Sequence, residues 1–188
     1  TGHWHERGVG LDAQGHSVWV DRPTDLRPPF EVAGEHDYLT EIHPQAEAFV
    51  RTLAECWQAG AALFLDYGFP ESEYYHPERH MGTLIAHRAH RSDDNVLTEV
   101  GLKDITAHVN FTGVALAAQD AGLTVMGYTS QGRFLINAGL AEVAQGVSAS
   151  DRVLMQQLIH EHEMGELFKV LALAPQASAE HWSPSGVA

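Results

Sequence analysis

The chain has 188 residues, 44% of them hydrophobic and 19% charged, and its 11 Lys plus Arg against 25 Asp plus Glu leave a formal charge of -14. That length suits one domain, or one domain with a small appendage, and is enough to bury a real core. The acidic excess argues against nucleic acid and anionic membrane faces, which reward clustered cations, while allowing a basic protein or peptide partner. The lone Cys56 lies in a helical pattern, so there is no disulfide framework and a reducing cytoplasm is the default compartment. No apolar run approaches a membrane span and no signal peptide opens the chain. Thr1 in place of an initiator Met suggests that a leading segment is gone.

In chain order, Trp4 to Val9 and Ser17 to Asp21 flank the turn Asp12-Ala13-Gln14-Gly15 and read as a β-hairpin. Pro23, Pro28 and Pro29 break regular structure, and the alternation of Tyr38-Leu39-Thr40-Glu41-Ile42 suggests a third short strand. From Pro44 the period changes: Ala48, Phe49, Leu53, Cys56 and Trp57 recur at helical spacing up to Gly60. Ala61 to Leu65 is then a continuous apolar run stopped by Gly68 and Pro70, the pattern of a strand buried on both faces in a helix-covered parallel sheet. Asp66 stands at its carboxyl end, where such sheets bind ligands, although a carboxylate there equally caps a turn.

Glu71 to Asn95 is polar and aromatic, too long for an ordinary connection, and reads as a functional or mobile loop. Asn110 or Thr112 is placed to cap a helix through Val114 to Ala121, ended by Gly122. Leu123 to Tyr128 is a second strand, and Phe134 to Leu140 and Asp151 to His162 carry helical periodicity, the latter capped by Ser148 or Ser150. Leu167 to Leu173 is a third strand, and from Pro175 the Ala, Ser, Pro and Gly content suggests a frayed tail. The domain plan is therefore a hairpin subdomain over 1–43, an α/β body over 44–175 and a disordered tail over 176–188.

Several chemistries find no support. His87-x-x-His90 offers two imidazoles on one helical face, but His160-x-His162 has the wrong spacing, no His-Glu-x-x-His occurs, and one Cys excludes a thiolate-rich site. Surface and loop histidines are the stronger reading, and no metal site is assigned. A nucleophile elbow, a P-loop and a dinucleotide fingerprint are absent, since Gly8-Val9-Gly10 precedes a hairpin instead of a helix. What remains is a set of polar residues after strands: Asp66 and Tyr67, Asp104 with Thr106, His108 and Asn110, and Thr129 with Gln131. Each taken singly is a cap or turn residue, and together they mark a crevice.

The ordered series Trp4-His5-Glu6-Arg7, Leu65-Asp66-Tyr67-Gly68, Gly82-Thr83-Leu84, Asp104 to Phe111, Thr129 to Leu135, and Met164-Gly165 before Phe168-Lys169-Val170 resembles the MidA-like family of SAM-dependent methyltransferases. The resemblance implies an α/β fold with part of a seven-stranded, Rossmann-like methyltransferase sheet. This chain would carry only the carboxyl-terminal part: the strand at Leu63 fifth, that at Leu123 sixth, and Leu167 to Leu173 seventh, antiparallel between them. The opening hairpin would be a family insertion. The Gly-rich loop, the acidic ribose-binding residue and the Asn-Glu motif of the family do not occur in these residues, so the chain is expected to be a fragment that binds SAM weakly alone.

The resemblance also implies S-adenosyl-L-methionine as cofactor and, from the mitochondrial member that aids complex I assembly, arginine methylation of a protein substrate. On that basis Asp66, Asp104 and Glu6 are candidates to hold the cationic acceptor and His108 to take its proton. Asp66, Tyr67 and Gly68 are candidates for the cofactor, and Thr106, Asn110, Phe111 and Gln131 for the substrate. Asn110 stands where many relatives carry Asp. The expected compartment is the cytoplasm, or the mitochondrial matrix for a eukaryotic chain. The rival expectation is a non-catalytic binding or assembly factor that grips its partner with Glu71 to Asn95.

Overall fold

The computed structural model describes residues 3–29, 31–32, 34, 37–89 and 91–187. Two compact units share the chain, Thr1–Ile42 with Ser72–His108 and His43–Glu71 with Val109–Ala188.

In the first unit β1 (His5–Leu11) and β2 (Ser17–Pro23) form an antiparallel hairpin with Leu11 opposite Ser17. The Asp12 carboxylate closes the turn by accepting the N–H groups of Gln14 and His16 at 2.9 and 2.8 Å, which is why a short acidic residue stands there. Across the strands the Arg7 guanidinium grips Asp21 with two bonds, 2.8 and 2.7 Å long. Tyr38 to Ile42 makes no strand. Among the described residues its sheet-like contact is a parallel bridge from Leu39 to Met81.

The stretch Glu71 to Asn95, expected as a loop, contains α2 (Glu71–Tyr74), β4 (Ile85–Arg88) and β5 (Arg91–Asp93). With β6 (Asp104–Thr106) the two strands make an antiparallel sheet in the order β5-β4-β6. Tyr74 and Tyr75, read from sequence as loop aromatics, are each 1% exposed and supply apolar bulk the unit otherwise lacks. The turn between β5 and β6 closes on Lys103, whose ammonium donates to Asp93, to the Asn95 carbonyl and to Thr98. His87 lies on β4 and not on a helical face, and His90 lies outside the described residues.

The second unit starts with α1 (Pro44–Cys56), where Pro at the first position costs no hydrogen bond. Gly60, at φ +105°, turns the chain into β3 (Ala62–Phe69). Then come β7 (Val109–Asn110), α3 (Phe111–Asp120), β8 (Leu123–Ser130), α4 (Gln131–Asn137), α5 (Leu140–Val143), α6 (Ala149–Ile159), α7 (Met164–Leu167) and β9 (Phe168–Pro175). Asn110 caps α3 by accepting the Gly113 N–H, and Ser148 caps α6 by accepting that of Asp151. The sheet runs β7-β3-β9-β8, with β9 antiparallel to both neighbours and β7 parallel to β3. The strand expected from Leu167 to Leu173 is β9, which lies antiparallel between the strands at Leu63 and Leu123.

Burial corrects one expectation. The strand covered on both faces is β9, whose Val170 to Ala174 are at most 1% exposed, whereas Leu63 and Leu65 of β3 are 42% and 45% exposed. Phe64 joins the core made by Val50 of α1, Phe111, Val114 and Ala118 of α3, Leu123, Leu171 and Leu173, while the other face of β3 stays open. Each of the large side chains in that core contributes roughly 1.5–3 kcal/mol through burial. Among the described residues, β7 pairs with the outer edge of β3 at Gly68 and Phe69 alone, and no strand pairs with that edge from Ala62 to Asp66. After Pro175 come α8 (Gln176–Ala179) and a 3-10 turn at Ser185–Val187. Ser178 accepts the Gly60 N–H, and Val187 packs where a Gly127 side chain would stand.

Candidate functional site

The carboxyl ends of β3 and β8 lie at the same end of the sheet, on either side of the start of β9. Register puts Asp66 and Ser130 both opposite Lys169, so Asp66, Lys169 and Ser130 form one row on one face. Asp66 is exposed and its carboxylate takes the N–H of Tyr67 at 2.8 Å. Lys169 is only 8% exposed, and its ammonium donates to the Glu166 carbonyl at 2.7 Å and to the Glu166 carboxylate. A buried cation is costly unless hydrogen-bonded, and Glu166 supplies both partners. The Tyr67 ring lies 4.0 Å from that of Phe168, centroid to centroid, and walls this end of the sheet.

Gly68 is shaped by packing. A side chain there would meet the Val109 carbonyl oxygen at 2.3 Å and the Phe111 ring at 2.7 Å, so only Gly lets β7 and α3 pack this close. Asn110 is 3% exposed, caps α3 and reaches Glu71 at 3.5 Å. Thr112 accepts the Glu71 N–H at 2.9 Å, which ties the end of β3 to the start of α3. Phe111 is 3% exposed and lies edge-tilted on Tyr128. Gln131 follows Ser130, is 7% exposed, and donates its amide to the Leu158 carbonyl at 2.9 Å. The second unit thus gathers Asp66, Tyr67, Gly68, Asn110, Phe111 and Gln131 at one end of its sheet. Of these only Asp66 is an exposed polar group.

In the first unit Asp104 and Thr106 stand two residues apart on β6 and share a face, with Asp104 exposed. His108 follows and donates its backbone N–H to the Thr83 hydroxyl at 2.9 Å. Thr83 in turn donates to Glu41 at 3.1 Å, and Glu41 also accepts the N–H groups of Thr83 and Leu84 and the phenol of Tyr74. Burial first, then the neighbouring Glu41, pushes the Tyr74 phenol well above its ordinary range, so it remains a donor. Glu6 is exposed on the hairpin opposite Arg22. A cavity of about 480 Å³ in this unit is lined by Glu73, His76, Glu78, Arg79, Met81 and Gly82.

Three residues of this geometry escaped the sequence reading. Lys169 was detectable as the one charge within the apolar run from Leu167 to Leu173. Glu166 and Glu41 carried no such signal, since their partners lie on backbone whose path the spacing does not reveal. Among the described residues no group of three or more His, Cys, Asp or Glu is placed to hold a metal ion. No helix among them is long and apolar enough to cross a membrane.

The family of putative S-adenosyl-L-methionine-dependent methyltransferases matches residues 1–129. The chain belongs to that family. Two solved structures from Burkholderia thailandensis are similar to it, each 41% identical with a TM-score of 0.88. One, a candidate methyl transferase bound to S-adenosyl-homocysteine, is matched over 98% of this chain and 50% of its own. The other, an uncharacterised protein of the same superfamily, is matched over 99% of this chain and 52% of its own. The chain therefore spans about half the length of the structures it matches. No curated protein matches it.

Proposed function

We propose that these residues form the acceptor side of a MidA-like SAM-dependent methyltransferase that transfers a methyl group to an arginine of a protein substrate. The single observation that carries the reading is 41% identity, over 98% of the chain, to a protein that holds S-adenosyl-homocysteine. The open edge of β3 from Ala62 to Asp66 and the uncovered face at Leu63 and Leu65 support a further strand and helix beside it in the complete enzyme.

The residues present do not by themselves fit the cofactor. Of the three residues proposed for the cofactor, Gly68 packs against Val109 and Phe111, Tyr67 lies against Phe168, and Asp66 presents an exposed carboxylate. The SAM cradle is therefore assigned mostly to residues outside this sequence. When bound, SAM supplies an electrophilic methyl group.

The roles left to this chain concern the acceptor. Asp66 in the second unit, and Asp104 and Glu6 in the first, are each a candidate to hold a guanidinium, for which an exposed carboxylate is the matching acceptor through two parallel bonds. His108 is the group proposed to take the proton released from the guanidinium nitrogen. The formal charge of -14 favours encounter with a basic substrate. Asn110, Phe111 and Gln131 shape the sheet end through the cap, the ring packing and the Leu158 tether described above.

The test is calorimetric titration of the complete gene product and of the 188-residue chain with SAM, followed by transfer of labelled methyl to a peptide of Gly and Arg. Binding and labelling by the complete product, with weak or no binding by the shorter chain, is the expected result. No heat, no thermal shift and no labelling would turn the reading to a non-catalytic binding or assembly factor.

A further inference from the structure

We infer that Glu41 is a positioning residue for His108, acting through the Thr83 hydroxyl; this rests on the methyltransferase reading. Two facts separate it from an acceptor-binding carboxylate. First, its oxygens are already occupied. One takes the N–H groups of Thr83 and Leu84 at 2.9 and 3.0 Å, and the other takes the phenol of Tyr74 at 2.8 Å and the Thr83 hydroxyl at 3.1 Å. A carboxylate has about four lone-pair sites, so none is left for a substrate. Second, the backbone is built to receive it. Gly82 sits at φ +71°, and a side chain there would meet the Glu41 oxygen at 2.5 Å. Gly82-Thr83-Leu84 is thus a turn folded around one carboxylate, and the Tyr75 phenol adds a bond to the Glu41 carbonyl at 3.2 Å.

What this turn holds in common with the proposed chemistry is one hydrogen bond. β6 ends at Thr106, so beyond it the sheet ladder no longer fixes the backbone. The next anchor is the His108 N–H, which ends on the Thr83 oxygen at 2.9 Å. Thr83 can accept there because its own hydrogen is directed to Glu41. Loss of the carboxylate frees the hydroxyl to rotate, and loss of the hydroxyl leaves the His108 N–H without its anchor. A displacement of about 1 Å at a proton-accepting group costs up to about a hundredfold in rate.

The test uses the complete protein and three variants, Thr83→Val, Thr83→Ser and Glu41→Gln, with labelled SAM and the Gly-Arg peptide as acceptor. Thr83→Val keeps the shape and removes the hydroxyl, and Thr83→Ser keeps the hydroxyl. Glu41→Gln turns an amide donor toward donors and tests the carboxylate should Thr83→Val fold poorly. The expected result is a fall of about tenfold in kcat for Thr83→Val and Glu41→Gln, which corresponds to about 1.4 kcal/mol in the barrier. KM for the peptide stays within about twofold, the mark of an interaction that matters in the transition state. Thr83→Ser restores kcat, and deuterium exchange at the His108 amide rises in Thr83→Val but not in Thr83→Ser. Equal rates for Val and Ser at position 83, a loss carried by KM alone, or unchanged exchange at His108 overturns the inference. A wild-type protein that labels no acceptor overturns the methyltransferase reading and this inference with it, and the exchange data still report separately whether Thr83 anchors His108.

Discussion

Replacing Gly68 by Ala puts a methyl group 2.3 Å from the Val109 carbonyl oxygen and 2.7–2.8 Å from two carbons of the Phe111 ring. Cβ atoms essentially never come within 3.0 Å of another heavy atom in this way, so β7 has to move away from β3. β7 is two residues long and meets β3 only at Gly68 and Phe69, so it has no further pairing to resist that shift. Its second residue, Asn110, is also the cap of α3. Overpacking of this kind costs about 1–3 kcal/mol. A weakened cap adds about 1 kcal/mol, giving about 2–4 kcal/mol in all. For a chain of this size each kcal/mol lowers Tm by about 2–4 °C, so a fall of about 4–16 °C is expected. Scanning calorimetry with urea melts followed by circular dichroism measures it. Gly146→Ala is the control, because a side chain there meets nothing within 4 Å. Gly68→Ala melting with the wild type would refute the packing argument. Normal melting combined with lost SAM affinity in the complete protein would return Gly68 to the cofactor role suggested by sequence.

Further outcomes follow from other contacts. Gly82→Ala forces a residue with a side chain to φ +71° against Glu41 and should destabilise the first unit by about 1–2 kcal/mol from backbone strain alone, read as faster exchange at Leu84 and His108. Lys169→Met should be neutral or stabilising, since a buried ammonium gives way to an apolar side chain, whereas Glu166→Ala leaves the ammonium the backbone carbonyl alone and should cost about 1–3 kcal/mol in urea melts. Hydrogen bonding from Lys103 holds the Asp93 carboxyl below its ordinary range. Its contribution is therefore complete above the ordinary carboxylate pKa and is lost as pH falls through the lowered value. Because the Asn95 N–H donates to the Asp93 carboxylate, its protection factor, corrected for intrinsic exchange, should fall on acidification, and Lys103→Met should shift that fall to higher pH. Ser148→Ala should cost about 1 kcal/mol through the lost α6 cap, with enhanced exchange confined to its first turn.

Local chemistry fixed much of this protein in advance. Pro44, Asn110 and Ser148 announce helix starts because their side chains or rings act on backbone within one turn. Asp12 and Gly15 announce the hairpin for the same reason. The strands at Ala62, Leu123 and Phe168 were visible as apolar runs. Which of them is central was not, since an apolar run does not say what covers it, and β9 proved more deeply buried than β3. The sheet β5-β4-β6 was hidden because its strands are three or four residues long and polar, shaped by Tyr74, Tyr75 and Lys103 from elsewhere in the unit. At the candidate site the sequence named Asp66, Asp104 and His108 but not the groups that hold their surroundings. The row from Asp66 through Lys169 to Ser130 exists only by strand register, and the turn around Glu41 only by a chain reversal more than forty residues along, as its bond to Thr83 shows. Contacts of that range depend on the tertiary path, to which residue spacing is blind.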